Sequence, residues 1–329
     1  MRIAFNGLGL TPRMTGIRRA SLHMLRALQA QNPDAEMIVF LPQDAPAEFD
    51  GANTIRTALT LDRPMAPLLG EEFILRGAKF DVCYSPSYLL PTIPGARADV
   101  VCVHDLSPRF REHLERRLPR ATRVVCPSRS TADALADEFN LEPSVVPHGV
   151  DTQRFHPGAD RREDPFVAVV SNSGLPDEVD TVLEAFPSFR ARLRPCRLVV
   201  VGEAGQAPSA PVDFVDCLDD DALAELYRRA LMVVQPSHYE GFDLPLLEAM
   251  ACGTPVACAD TPFFREITGG HARFFNPRDA RSIADTMAEL ASDGDGRAEL
   301  ARQGVIRARE WGWDRSARSL WDVLEEAAS

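Results

Sequence analysis

Glu240 and Glu248 stand eight residues apart with a helix start between them. The run Met232-Val233-Val234-Gln235-Pro236-Ser237 reads as a buried strand ending in a turn. Leu244 to Ala251 reads as the helix that follows, with Pro245 in its first turn, where a missing N–H costs little. Glu240 then sits on the loop at the C-terminal end of the strand, and Glu248 about one turn inside the helix. The first amides of a helix lack intrahelical partners and form the positive end of its dipole, so they seat an anion. A carboxylate at a loop mouth, open amides and a second carboxylate suit a ligand that has both hydroxyls and phosphate.

Five other places have residue types suited to such a ligand. Thr15-Gly16-Ile17-Arg18-Arg19 is a glycine-bearing loop at the start of a helix with apolar Leu22, Leu25 and Leu28, so its amides can meet a phosphate. His104-Asp105 directly follows the apolar run Val100–Val103 and sits at a strand tip. Val201-Gly202-Glu203-Ala204-Gly205 is a glycine turn after a strand, and Val215-Asp216-Cys217-Leu218-Asp219 leads into a helix that Asp219-Asp220-Asp221 would cap. Arg109 to Arg123 is basic, with Phe110, Leu114 and Leu118 four apart on one helical stripe. That stripe fits either packing on its own domain or a surface for an anionic acceptor or lipid headgroups.

These residues need strand ends and helix starts to hold them, and the chain supplies both. Short apolar runs alternate with helical patterns, which indicates parallel α/β sheets. The first half has strands near Ile3–Phe5, Met37–Leu41, Asp81–Tyr84, Val100–Val103, Val124–Cys126 and Ser144–Val146, with helices that include Gly16–Gln29 and Ser128–Phe139. The polar stretch 149–165 reads as a linker. The second half restarts with strands Phe166–Val170, Arg197–Val201, Leu231–Val234 and Pro255–Cys258, and helices around Val179–Arg192, Ala222–Arg229, Leu244–Ala251 and Ala280–Ser292. The expected domains are therefore 1–150 and 151–312, each Rossmann-like and doubly wound, facing each other across a ligand cleft at their strands' C-terminal ends. A last amphipathic helix begins near Trp313-Asp314.

Composition removes several classes. A chain of 329 residues accommodates two ordinary domains. No apolar run reaches the length of a membrane span, and Met1-Arg2-Ile3-Ala4-Phe5 enters a strand without a signal peptide's apolar core. Seven scattered cysteines without a Cys-x-x-Cys pair point to reduced thiols in a cytoplasmic protein, with neither disulfides nor a zinc site. Residues 1–150 hold 17 basic and 17 acidic side chains, whereas 151–329 hold 19 and 31, so the second half accounts for the net charge of −12. An acidic half of this kind argues against nucleic acid as a partner.

The string Pro236-Ser237, Glu240-Gly241-Phe242-Asp243-Leu244-Pro245-Leu246-Leu247-Glu248, then Ala251-Cys252-Gly253-Thr254-Pro255-Val256, resembles the signature of family 4 of the retaining GT-B glycosyltransferases. The resemblance covers most of the chain. It implies transfer of a hexose-type sugar, with retention, from a nucleoside-diphosphate donor to a hydroxyl acceptor such as a glycan, a lipid-linked acceptor or a small molecule. No metal or cofactor is implied, and the leaving phosphate itself takes the acceptor's proton. By the same resemblance Glu240 and His104 face the transferred sugar and Glu248 holds the ribose hydroxyls. Gly16 and Arg18 approach the donor phosphates, and Gly202, Leu218, Phe242, Asp243 and Leu244 line the nucleotide site. The last helix, about 313–329, crosses back onto the first domain, which is the acceptor side. The expected location is cytoplasmic, with peripheral contact at the inner membrane face through Arg109–Arg123 as the alternative.

Two departures weaken the implied catalysis. The family has an Arg and a Lys after the first strand of its second domain to neutralise the donor diphosphate. Anchored on Leu183-Glu184-Ala185-Phe186, that pair falls on Pro176 and Asp177, and the only lysine, Lys79, lies in the first half. Arg18 and Arg19 or the helix N-termini are the expected substitutes, since a diphosphate leaving group needs positive charge or oriented amides. The second departure is Asp243, where the family has a small residue; its carboxylate competes with phosphate for the same amides. The rival expectation is a catalytically impaired GT-B homologue that acts as a binding or scaffold subunit. A GT-B epimerase or phosphorylase is disfavoured by the glutamate spacing and by the missing lysine.

Overall fold

The computed structural model describes residues 1–10, 16–46, 53–57, 79–89, 93, 95–106, 111–158, 164–171, 176–193, 195–202, 211–216, 218–238 and 241–329; the side chains of residues 57 and 176–178 are outside this description. Glu240, Thr15, Glu203–Gly205, Cys217, Arg109 and Phe110 also lie outside the described residues. The chain divides into two compact units, Met1–Gly149 with Trp313–Ser329, and Val150–Gly312.

In the first unit the described strands form a seven-stranded sheet in the order β3-β2-β1-β4-β5-β6-β7. They are β1 (Arg2–Asn6), β2 (Glu36–Pro42), β3 (Thr54–Thr57), β4 (Phe80–Ser85), β5 (Ala96–Cys102), β6 (Arg123–Cys126) and β7 (Ser144–Val145). All neighbours pair in parallel, with Ile3 opposite both Met37 and Val82. Successive side chains of a strand face opposite ways, so both faces of this sheet can be read from β5. Val100 and Cys102 join a core that includes Ile3, Phe5 and Val82. Val101 and Val103 join another with Leu114, Leu118, Ala132 and Leu135. Burial on both faces explains the continuous apolar runs of these strands.

Helices cover the two faces. α1 (Gly16–Gln31) places Leu22, Leu25 and Leu28, at three-residue spacing, in the Ile3–Phe5 core. Leu114 of α2 (Arg111–Arg117) and Leu118 just after it fill the opposite core. Leu114 and Leu118 of the apolar stripe in the basic segment are therefore used in packing. α3 (Arg129–Phe139) starts on Ser128, whose hydroxyl accepts from Thr131 N, and ends on Asn140 at φ 53°. The last helix of the chain, Trp313–Ala328, belongs to this unit: Ala317, Leu320, Val323 and Leu324 are buried in the same core as α1.

In the second unit six described strands run in the order β10-β9-β8-β11-β12-β13, again in parallel. They are β8 (Phe166–Val170), β9 (Arg197–Val201), β10 (Val212–Val215), β11 (Met232–Gln235), β12 (Val256–Ala259) and β13 (Arg273–Phe275). The helices are α4 (Pro176–Arg192), α5 (Asp220–Arg229), α6 (Leu244–Ala251), α7 (Pro262–Thr268), α8 (Ala280–Ser292) and α9 (Gly294–Ala308); the terminal helix is α10. Asp219 caps α5 by accepting from Ala222 N at 2.8 Å. The sequence pattern misses β3, β10, β13, α7 and α9, all short, partly exposed or polar.

Each sheet has one place where its order reverses direction, between β1 and β4 in the first unit and between β8 and β11 in the second. Loops leaving neighbouring strands there diverge, which leaves a crevice at the C-terminal ends of the strands. Gly202, just after β9, adopts φ +133°, and a Cβ built on it would lie 2.5 Å from Ser171 O. Its amide donates to Val215 O at 2.9 Å, as Ser171 N does to Val201 O. Gly202→Ala is expected to destabilise the second unit by about 2 kcal/mol or more, from strain plus that clash. Denaturant unfolding checks it; a loss below about 0.5 kcal/mol would show that the backbone relaxes freely.

Candidate functional site

The second unit holds four of the eight expected donor-binding residues, Phe242, Asp243, Leu244 and Glu248, at the β11–α6 junction. β11 ends at Gln235, Ser237 is buried, and α6 begins at Leu244. All eight residues of α6 are buried, because it packs against α9, α5, β11 and β12. Glu248 is therefore held in the interior, 3 % exposed. Tyr227 of α5, itself fully buried, donates its hydroxyl to Glu248 Oε2 at 3.2 Å. A buried carboxylate accepts strong, charge-assisted hydrogen bonds. Such a group, fixed in a dry setting, is suited to receive both hydroxyls of a diol.

The start of α6 is occupied by its own cap. Asp243 Oδ1 accepts from Leu246 N at 2.8 Å, and Asp243 O accepts from Leu247 N at 3.3 Å. Pro245 has no amide hydrogen. Asp243 Oδ2 in turn accepts from Gln235 Nε2 at 2.5 Å, and both side chains are buried. The helix start thus already holds a carboxylate where an anion seat is expected, and Gln235 fixes that carboxylate in place.

Phe242 is 9 % exposed and meets Trp311 edge-on at 5.6 Å. The Arg307 guanidinium lies over the same indole at 4.9 Å and donates to the carbonyls of Glu266 and Ile267 at the end of α7. This stack anchors the loop that bears Phe242. Leu218 is half-buried between β10 and the Asp219 cap, and Gly202 lies at the end of β9. The backbone of Pro176 and Asp177 opens α4.

The first unit holds Gly16, Arg18 and His104. Gly16 is the first residue of α1, and Arg18 and Arg19 are buried one turn in, at 4 % and 7 % exposure. His104 follows β5 and is 8 % exposed. Its Nε2 lies 2.6 Å from Pro86 O and its Nδ1 lies 3.1 Å from His148 Nε2. Burial holds His104 below its ordinary pKa, against the opposing pull of Pro86 O and Asp105. Burial, and then the neighbouring His104, hold His148 well below.

A polar network spans the reversal point of the first sheet. Asn6 Nδ2 donates to Ser85 Oγ at 3.1 Å, joining the ends of β1 and β4. Arg117 Nη2 donates to the same oxygen at 3.3 Å, and Arg117 Nη1 pairs with Asp99 Oδ2 of β5. In the basic segment Arg111 pairs with Glu138 and Glu115, and Arg116 with Glu112.

Tyr227, Gln235 and His148 were not singled out from the sequence. Each supports a residue that was: Gln235 and His148 are polar tips in an apolar strand and a turn, and Tyr227 lies on the buried face of the otherwise polar α5. That signal is visible in sequence but does not name the partner.

Two Rossmann-like α/β domains, each with its site residues at the C-terminal ends of parallel strands, define the GT-B class. The structure matches sucrose-phosphate synthase from Thermosynechococcus elongatus with a TM-score of 0.78 at 20 % identity, over 100 % of both chains. It matches Anabaena HepE, solved with UDP and glucose, with a TM-score of 0.78 at 16 % identity, over 99 % of this chain and 100 % of that one. The model for glycosyl transferases group 1 matches residues 151–309, and that for glycosyltransferase family 4 matches residues 14–154. The chain belongs to the group 1, family 4 glycosyltransferases. It is 30 % identical over 262 residues to the D-inositol 3-phosphate glycosyltransferase of Salinispora tropica, covering 65 % of this chain and 53 % of that protein. The enzyme of the same name from Actinosynnema mirum is 31 % identical over 257 residues, covering 65 % of this chain and 59 % of that protein. The chain thus spans between half and three fifths of the length of these relatives. Among the described residues no helix is long and apolar enough to cross a membrane.

Proposed function

We propose that the chain transfers a sugar from a nucleoside-diphosphate sugar to a hydroxyl acceptor with retention of configuration. The observation that supports this best is Glu248, buried one turn into α6 and steadied by Tyr227. It is set to accept both ribose hydroxyls of a nucleotide. The group 1 relatives and the UDP held by HepE agree with that choice of ligand.

In the proposed reaction Glu240 and His104 hold the sugar. The acceptor oxygen bonds to the anomeric carbon on the face from which the diphosphate departs. The acceptor's proton passes to a phosphate oxygen, and the products are the glycoside and the nucleoside diphosphate. Residues on this chain orient the partners and stabilise the leaving charge; the resemblance calls for no metal and no cofactor. Arg18, buried on α1, is the described cation assigned to the phosphates.

Calorimetry with UDP, GDP and dTDP tests the nucleotide site, with UDP first. Glu248→Ala is expected to weaken the best of them about 100-fold, the loss of two hydrogen bonds to a charged group. Glu248→Gln keeps an acceptor for Tyr227 and separates lost binding from lost folding. Micromolar binding that is indifferent to Glu248→Ala would overturn the assignment.

A second reading has a specific observation behind it. Asp243 already caps α6 with a fixed carboxylate, and the position expected to bear a lysine is Asp177. A binding or scaffold subunit that holds nucleotide but turns none over would fit these features. Release of nucleoside diphosphate from a sugar donor in the presence of acceptor decides between the two.

A further inference from the structure

His104 has its protons placed by its neighbours. Pro86 O only accepts, so the bond at 2.6 Å puts a hydrogen on His104 Nε2. A neutral ring with Nε2 protonated has Nδ1 as an acceptor. The bond of 3.1 Å to His148 Nε2 therefore has His148 donating. Both rings are buried, at 8 % and 5 % exposure, which favours the neutral forms that this chain of bonds requires.

The His148 ring is itself held in position. It lies 5.7 Å from the Trp313 ring at the start of α10, tilted by 31°. Trp313 stacks on His23 of α1 at 5.2 Å and 11°. The His104 and His148 rings are 5.1 Å apart. Two helices thus set the plane from which His148 reaches His104. The charged group beside the pair is Asp105, next to His104 in the chain, and His23, the titratable ring on α1, stacks on the Trp313 ring that His148 also meets.

We propose that His148 is a positioning residue for His104, donating from Nε2 to His104 Nδ1 so that the His104 ring acts on the donor sugar only as a hydrogen-bond donor from Nε2. The inference rests on the reading of His104 as a sugar contact. When a sugar hydroxyl replaces the Pro86 carbonyl, the bond from His148 persists and keeps the proton on Nε2. No proton is transferred in that exchange, so His104 serves as an orienting donor, not a base. Protonating His104 at Nδ1 would set two N–H groups against each other unless His148 changed tautomer.

The test uses the full chain, labelled with ¹⁵N at histidine, with His148→Leu and His148→Gln. Glutamine places an amide N–H near where Nε2 stands; leucine leaves none. In the parent, long-range ¹H–¹⁵N spectra are expected to show His104 protonated at Nε2 only. Losing the donor frees Nδ1 for a proton, so in His148→Leu the His104 titration should move up by about one pH unit. In the transferase assay kcat should fall about tenfold, with the acidic limb of the pH–rate profile moving up in step. His148→Gln should restore both in large part.

A His104 titration unmoved in a folded His148→Leu, or a parent with Nδ1 protonated, overturns the proposal. If His148→Leu does not fold, His148→Asn, too short to reach Nδ1, takes its place with the same expectations. A parent that turns over no sugar nucleotide refutes the functional reading alone, because the titration still decides the role of His148.

Discussion

Glu240→Ala is expected to abolish sugar transfer, by roughly 10³-fold, while leaving nucleotide affinity within about threefold of the parent. Glu240 lies outside the described residues, but the chain on either side of it is fixed. His238 Nδ1 approaches Pro236 O at 3.1 Å, Phe242 packs on Trp311, and Asp243 caps α6. On the proposed reading Glu240 contacts only the sugar, so its removal should cost the transition state more than the ground state: kcat falls and nucleotide binding survives. Glu248→Ala should behave in the opposite way, which makes the pair diagnostic. Turnover of Glu240→Ala at the parent rate would sink the assignment of the sugar site. Loss of nucleotide binding in the same variant would mean that the loop had collapsed.

Arg117→Met is expected to destabilise the first unit by about 3–5 kcal/mol. Arg117 and Asp99 are 7 % and 8 % exposed and pair directly. Neither water nor salt screens them well, so deleting the cation leaves a buried carboxylate uncompensated. The same guanidinium reaches Ser85, which Asn6 also holds, so the change loosens the junction of β1 and β4. The expected fall in melting temperature is roughly 10 °C for a unit of this size. The double variant Arg117→Met with Asp99→Leu should recover most of it, because well-packed apolar side chains often replace a buried pair without loss. A single-variant loss below about 1 kcal/mol would show that the pair behaves as a surface salt bridge. A double variant worse than Arg117→Met would show that shape, not charge, dominates there.

The central strands of both sheets were legible because they are buried on two faces and read as continuous apolar runs. Phe166–Val170, Arg197–Val201 and the helix Leu244–Ala251 occur as the pattern places them. The elements that escaped carry weaker signals. β3 and β13 span four and three residues at sheet edges, and α9 has a mixed apolar pattern with only Leu300, Gly304 and Ala308 buried. Asp243 shows how a local rule is read in part. A helix-capping carboxylate was legible from its place before Leu244-Pro245, whereas its second oxygen's bond to Gln235, eight residues earlier, was not.

The sequence by itself determined the central strands and most of the helices, their parallel arrangement, the signature that assigns the family, and the placement of Glu248 one turn inside a helix that follows a strand. All of these follow from periodicity, turn chemistry and spacing within about twenty residues. Only the tertiary structure decided which groups hold the site residues. Tyr227 reaches Glu248 across 21 positions, His148 reaches His104 across 44, and Asn6 reaches Ser85 across 79. Those distances in sequence are closed by strand order. β1 lies beside β4, not β3, and α10 returns to the core of α1. Side-chain spacing encodes which face of an element is buried; the partner it meets there is set by the packing of whole sheets and helices.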